Sequence, residues 1–180
     1  STDCVFSGKR GNYTEADVKD GVGFYAQSKA LGEIDNTKDV TIRTSIIGPE
    51  INTNGIGLLH WFLNQPLDAK LNGYSNAYWT GLTTLELAKV VHEIINQNIS
   101  GIIQVVPNEK INKYELLQLF NSVFRNNQLN IVDYDAYKVD KSLLFTSQDF
   151  DYHVPTYEQM LIDLKAWILS QNTLYKHYSL

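Results

Sequence analysis

Residues 24–49 read FYAQSKALGEIDNTKDVTIRTSIIGP, and this stretch decides the fold. Its first part predicts a helix over Phe24–Ile34. Its second part, Val40-Thr41-Ile42-Arg43-Thr44-Ser45-Ile46-Ile47, is rich in β-branched residues and stops at Gly48-Pro49. That pattern predicts a buried strand. A helix leading into a buried strand is the unit of an α/β sheet.

The same alternation continues outward. Residues 7–21 are polar and glycine-punctuated, which predicts a surface loop. A helix is expected over 56–65, where Leu58, Leu59, Phe62 and Leu63 cluster, and a short strand over Ala69–Tyr74. Thr83-Thr84-Leu85-Glu86 matches a capping box. The helix behind it carries Leu85, Ala88, Val91, Ile94 and Ile95 and ends near Asn98 to Gly101. Ile102–Val106, closed by Pro107, predicts a second buried strand. Asn112-Lys113-Tyr114-Glu115 starts another helix, with Leu116, Leu119, Phe120 and Val123 inward. Leu129–Val132 is a candidate strand. A last helix begins at Pro155-Thr156-Tyr157 and repeats Tyr157, Met160, Leu161, Leu164 and Trp167 or Ile168 at three- and four-residue steps. The fold class is α/β with some parallel sheet. No G-x-G-x-x-G turn occurs anywhere in the chain.

Composition narrows the function classes. With 180 residues and 43% hydrophobic content, the chain can bury a real core. A net charge of −5 makes it a poor partner for nucleic acid. The single cysteine excludes an internal disulfide and fits a reducing compartment. No apolar run approaches the ~20 residues of a membrane span. A soluble cytoplasmic protein without nucleic-acid or membrane partners is expected. His60, His92, His153 and His177 lack ligand spacing, so no metal site is expected. The chain opens without Met on what reads as the end of a strand, so a C-terminal piece of a longer protein is expected.

The strongest chemical constellation is Tyr25-Ala26-Gln27-Ser28-Lys29. Side chains four apart on a helix share a face, with Cβ atoms roughly 6 Å apart. An ammonium beside a phenol favours the phenolate. A tyrosine so placed can give a proton to a carbonyl oxygen while a hydride reaches the carbon. A hydroxyl from elsewhere would help hold that oxygen. Alone, the pair is a common surface arrangement.

Its context gives it meaning. Ser1-Thr2-Asp3-Cys4-Val5-Phe6 precedes a loop with Tyr13-Thr14-Glu15. Then come the Tyr25–Lys29 helix, Gly32-Glu33, and a strand with Arg43-Thr44-Ser45. This order and spacing resemble the extended short-chain dehydrogenase/reductase superfamily, and within it the dTDP-4-dehydrorhamnose reductase branch. Thr83–Ala88 and the stretch from Asp140-Lys141-Ser142-Leu143 to Pro155-Thr156-Tyr157 resemble the substrate half of such reductases.

The resemblance implies the C-terminal part of a Rossmann-type parallel sheet plus a small mixed α/β substrate-binding portion. Residues 1–50 would be the remnant of the NAD(P)-binding domain. Residues 51–180 would be mainly the substrate portion, with 83–106 returning a helix and strand to the Rossmann sheet. Tyr25 would be the catalytic acid, Lys29 its partner at the nicotinamide ribose, and Thr2 the catalytic hydroxyl, with Ser1 as its alternative. Ser45, Ile46 and Ile47 would contact NADPH or NADH. Asp3, Cys4, Val5 and Phe6 would line the sugar pocket. Tyr74, Tyr78 and Trp79, aromatics in a polar segment, are candidates to stack on base or sugar, and Lys141 would meet a pyrophosphate. Partners would be the nucleotide-sugar substrate and the N-terminal half of the same protein, with a homodimer as a candidate assembly. The implied activity is NAD(P)H-dependent reduction of a 4-keto-6-deoxy nucleotide sugar in surface polysaccharide biosynthesis. Two alternatives stay open: an epimerase or dehydratase of the same superfamily, and a non-catalytic nucleotide-binding relative. The second acid that a dehydratase carries beside its hydroxyl is absent after Thr2-Asp3. Two departures from the branch stand out. Cys4 replaces an aromatic, and Ile46 stands where an aromatic is frequent, so a different keto-sugar is expected.

Overall fold

The computed structural model describes residues 1–180. A 3-10 turn, Asp3–Val5, comes first. Helix α1 spans Phe24–Leu31, and strands β1 and β2 span Val40–Arg43 and Ile46–Ile47. Helix α2 (Leu58–Leu63) leads to β3 (Lys70–Tyr74), β4 (Ala77–Trp79) and β5 (Leu82–Thr83). Then follow α3 (Thr84–Asn96), β6 (Gly101–Gln104), β7 (Ile111–Asn112) and α4 (Lys113–Arg125). Strands β8 (Asn130–Tyr134) and β9 (Val139–Asp140) precede α5, Tyr157–Ser170.

The pairing is mostly parallel. β1 pairs with β6, β2 with β5, and β3 with β8. β4 lies between antiparallel β7 and parallel β9. Parallel neighbours need long crossovers, and helices supply them here. The main core gathers Leu59 and Phe62 of α2, Leu116 and Phe120 of α4, and Met160, Leu161 and Leu164 of α5. Phe62 meets Phe120 edge-on at 5.4 Å. A second, smaller cluster joins Val5, Phe6 and Tyr13 to Val106 and Leu143.

Local chemistry moves several boundaries from their expected places. α1 stops at Leu31 because Gly32 closes it, its N–H donating to Ser28 O at 3.1 Å. The strand expected over 40–47 is two strands. After Arg43 the chain changes partner, and Ser45 O accepts from Leu82 N–H at 2.9 Å. Ile46 is left exposed. In α3 the buried face is Glu86, Val90 and Ile94, whereas Val91 and Ile95 face outward. Packing of α3 on β2, β5 and α5 selects that face. Thr83 caps α3 by accepting from Glu86 N–H, but Glu86 does not reach back. Its carboxylate instead accepts from Tyr152 Oη and Lys89 Nζ. The complete capping box is at α4. Asn112 Oδ1 accepts from Glu115 N–H at 2.8 Å, and Glu115 Oε2 accepts from Asn112 N–H at 3.3 Å. Such a cap is worth about 1 kcal/mol, and it places Lys113 at the first helical position. On α5, Ile168 is buried and Trp167 is exposed. No helix is long and apolar enough to cross a membrane.

Candidate active site

Thr2, Asp3 and Cys4 form one turn with its own hydrogen-bond logic. Thr2 Oγ1 accepts from Cys4 N–H at 3.2 Å and donates to Asp3 Oδ1 at 3.0 Å. The hydroxyl is therefore held in place and keeps one lone pair. α1 packs against this turn. The approach is close at Gly21, where a Cβ would lie 2.4 Å from Cys4 O. Gly21 N–H also donates to Val5 O at 2.8 Å. Gly23 then enters the helix at φ +90°, a conformation that suits glycine. On α1, Tyr25 and Lys29 are both exposed and share a face. Lys29 Nζ lies 5.7 Å from the Tyr25 ring centroid. Lys29 borders a small groove with Ser1, Ser28 and β1 residues Val40–Ile42.

A much larger cavity, about 1250 Å³, opens between the sheet of β3 and β8 and the start of α2. One wall is aromatic. Tyr74 meets Tyr134 at 5.3 Å and Tyr137 at 5.8 Å, both edge-to-face. The other end holds two lysines, Lys113 and Lys141. Neither ammonium makes a hydrogen bond within the chain, in contrast to Lys110, which pairs with Asp140 at 2.5 Å. The Lys113 ammonium lies 4.7 Å from the Trp79 ring centroid. Burial pushes it down to about 8, against the opposing pull of Asp3 and Cys4. Burial likewise pushes the Asp3 carboxyl up, while Thr2, Lys141, Cys4 and Lys113 pull the other way. Asp3 of the Thr2 turn thus lies within electrostatic reach of both cavity lysines.

The structure sorts the expected site residues. Thr2, Asp3 and Cys4 lie on one turn beside α1, and Lys141 lines the cavity. Val5 and Phe6 do not line a sugar pocket. They are 1% and 0% exposed, and Phe6 stacks on Tyr13 at 4.3 Å. Ile47 is core, 5% exposed, and is not open to a ligand. Ile46 is exposed and Ser45 half-buried. Trp79 is not a stacking platform for a base: it is buried against Tyr157 at 5.8 Å and carries Lys113 on its face. Tyr78 lies outside the cavity lining, under Lys110 at 4.6 Å. Sequence reasoning missed Lys113, Tyr134 and Tyr137. Each belongs to a segment whose place at the cavity depends on long-range strand pairing. The capping box at Asn112 was the one local signal that exposed Lys113 as a helix-start residue. No group of His, Cys, Asp and Glu side chains has the geometry of a metal site.

No protein-family model and no curated protein matches the chain by sequence. Solved structures do match. One is a hypothetical dTDP-4-dehydrorhamnose reductase from Sulfolobus tokodaii, with 24% identity and a TM-score of 0.69 over 88% of this chain and 60% of that one. Another is a dTDP-4-dehydrorhamnose reductase from Bacillus anthracis in complex with NADP. It has 18% identity and a TM-score of 0.77 over 93% of this chain and 63% of that one. A UDP-N-acetylglucosamine 4-epimerase from Methanobrevibacter ruminantium, in complex with UDP-N-acetylmuramic acid, has 17% identity and a TM-score of 0.68, covering 94% of this chain and 61% of that one. The chain therefore has the Rossmann-like fold of these reductases and epimerases, and it spans less than two thirds of their length.

Proposed function

We propose that this chain is part of an NAD(P)H-dependent reductase that acts on a 4-keto-6-deoxy nucleotide sugar. The observation that carries the reading is the position of the Thr2-Asp3 turn. It packs against the helix of Tyr25 and Lys29, and its Asp3 carboxyl feels the charges of Lys141 and Lys113, which line the cavity. The large cavity, separate from the groove at Lys29, suits a nucleoside diphosphate. The tyrosine wall offers ring faces to a base, and Lys113 and Lys141 offer unpaired charge to the phosphates.

The residues present fit the nicotinamide end of a dinucleotide. Lys29 has a free ammonium at a groove, and Tyr25 has a solvent-facing ring on the same helix face. A bound nicotinamide supplies the hydride. Tyr25 gives its proton to the substrate oxygen. Thr2, held by Cys4 N–H and Asp3, keeps one lone pair, which accepts from the hydroxyl formed at that oxygen. Lys29 binds ribose hydroxyls. Cys4 in place of an aromatic gives the sugar pocket a smaller wall there, which suits a different keto-sugar. A role in surface-glycan synthesis in the cytoplasm follows from this substrate class.

The test is Tyr25→Phe in the full-length protein. General acid catalysis contributes about 10²–10⁴-fold, so turnover on the keto-sugar should fall by that factor. Binding of the sugar nucleotide should change little. Turnover equal to wild type removes Tyr25 from the mechanism.

A further inference from the structure

The residues after α5 return to His60, a residue that lines the cavity. Tyr178 is 9% exposed and sits in the main core, yet its hydroxyl is a polar hub. The hydroxyl accepts from Glu50 N–H at 2.9 Å and is hydrogen-bonded at 2.6 Å to Nδ1 of buried His60. The ring is braced on both sides. His177 lies 4.2 Å away and Tyr175 6.4 Å away, centroid to centroid. Arg125 of α4 donates to Ser179 O at 3.1 Å and also to Leu63 O, so this terminal turn is fastened to α2 and α4 together.

Glu50 carries the connection onward. Its backbone is tied to Tyr178, and its carboxylate accepts from Gly57 N–H at the entry to α2. Between those points runs the segment that forms one side of the cavity, including Thr53, Gly55 and Ile56. Ile56 is 96% exposed, so packing does not hold it. The segment is instead pinned at its two ends by Glu50. His60, which also lines the cavity, is pinned by the same hydroxyl.

We propose that Tyr178 is a positioning residue which, through Glu50 and His60, holds segment 50–57 as a wall of the nucleotide cavity and so sets the affinity for a nucleoside diphosphate. The proposal rests on the reading of this cavity as the nucleotide site. The physical reason is entropic. A wall that must be ordered at the moment of binding costs affinity, and a pre-ordered wall does not.

Two measurements on the full-length protein test it, with Tyr178→Phe retaining the packed ring. Amide exchange reads the tether directly. The variant should exchange faster at 50–57 and at His60, and α3 and α5 should keep wild-type protection. Calorimetric titration with UDP and with dTDP reads the consequence, at a temperature where circular dichroism shows both chains folded. The variant should bind about fivefold or more weakly, the loss expected for one hydrogen bond. Glu50→Ala should weaken binding too, and the double variant should lose less than the sum. Unchanged exchange at 50–57 overturns the proposal whether or not nucleotide binds. Faster exchange with unchanged affinity overturns it as well. A wild-type chain that binds neither nucleotide overturns the functional reading, and the exchange result then judges the tether by itself.

Discussion

Glu33, just beyond the helix of Tyr25 and Lys29, grips Arg43 of β1 in a two-point contact: Arg43 Nε donates to Oε1 at 2.9 Å and Nη2 to Oε2 at 2.7 Å. Both side chains are essentially inaccessible, at 0% and 1% exposure. Ser1 Oγ and Lys19 Nζ donate to the same carboxylate, and the guanidinium lies 5.1 Å from the Phe6 ring centroid. The pair therefore links the end of α1, the β1 strand and the start of the chain around the Thr2 turn.

Burial by itself would raise the Glu33 carboxyl, but the hydrogen bonds from Arg43, Ser1 and Lys19 outweigh it and hold the group at about 2. Its folded value lies below the ordinary one near 4.5. The stabilisation is therefore complete above that ordinary value and is lost as pH falls toward 2. Urea unfolding should show a loss of about 3 kcal/mol across that window. Glu33→Gln should cost about 3 kcal/mol at neutral pH, because it leaves Arg43 buried without its counter-charge, and should flatten the acid slope. An unaltered acid slope in Glu33→Gln would show that another carboxylate governs it.

Gly21→Ala should separate α1 from the Thr2 turn. The added methyl would meet backbone atoms of Cys4 and Val5 at 2.4 to 2.8 Å, and these cannot rotate away. Overpacking of this kind costs about 1–3 kcal/mol. In the full-length protein, turnover should fall while nucleotide binding at the cavity, whose lining does not include this turn, is retained. A variant with wild-type turnover would show that the two elements need no close register.

Lys113→Met preserves the apolar stem and removes the charge. Binding of UDP or dTDP should weaken about tenfold, the scale of one hydrogen bond to a charged group. With the Lys113 ammonium at about 8, affinity should hold below that pH and fall as pH rises through it. Titrations across that range should show the decline in wild type and not in Lys113→Met.

The 180-residue chain should bind nucleoside diphosphates but not NADPH tightly, because no glycine-rich phosphate turn lies among its residues. Tyr25 and Lys29 reach only the nicotinamide end. Calorimetry with NADPH should show no saturation at millimolar ligand. Micromolar affinity in a monomer would mean that another segment holds the pyrophosphate.

Much of this was legible in the sequence because it is local. Four-residue spacing places Tyr25 and Lys29 on one helix face without help from tertiary contacts. β-branched runs stopped by Gly48 and Pro107 mark strands, and Asn112-to-Glu115 marks a helix start, since capping is decided within one turn. Charge, cysteine count and the absence of a phosphate-binding turn are likewise properties of the chain alone. The tertiary structure decided what those residues face. Val5, Phe6, Ile47 and Trp79 look as suited to a pocket as to a core, and only packing against Tyr13, α3 and Tyr157 turns them inward. Lys113, Tyr134 and Tyr137 become cavity residues because β3 pairs with β8 and α4 starts at the β4–β7 ladder. Tyr178 meets Glu50 across 128 residues of sequence. No periodicity encodes such a contact, because it arises from how helices and strands pack after each has formed.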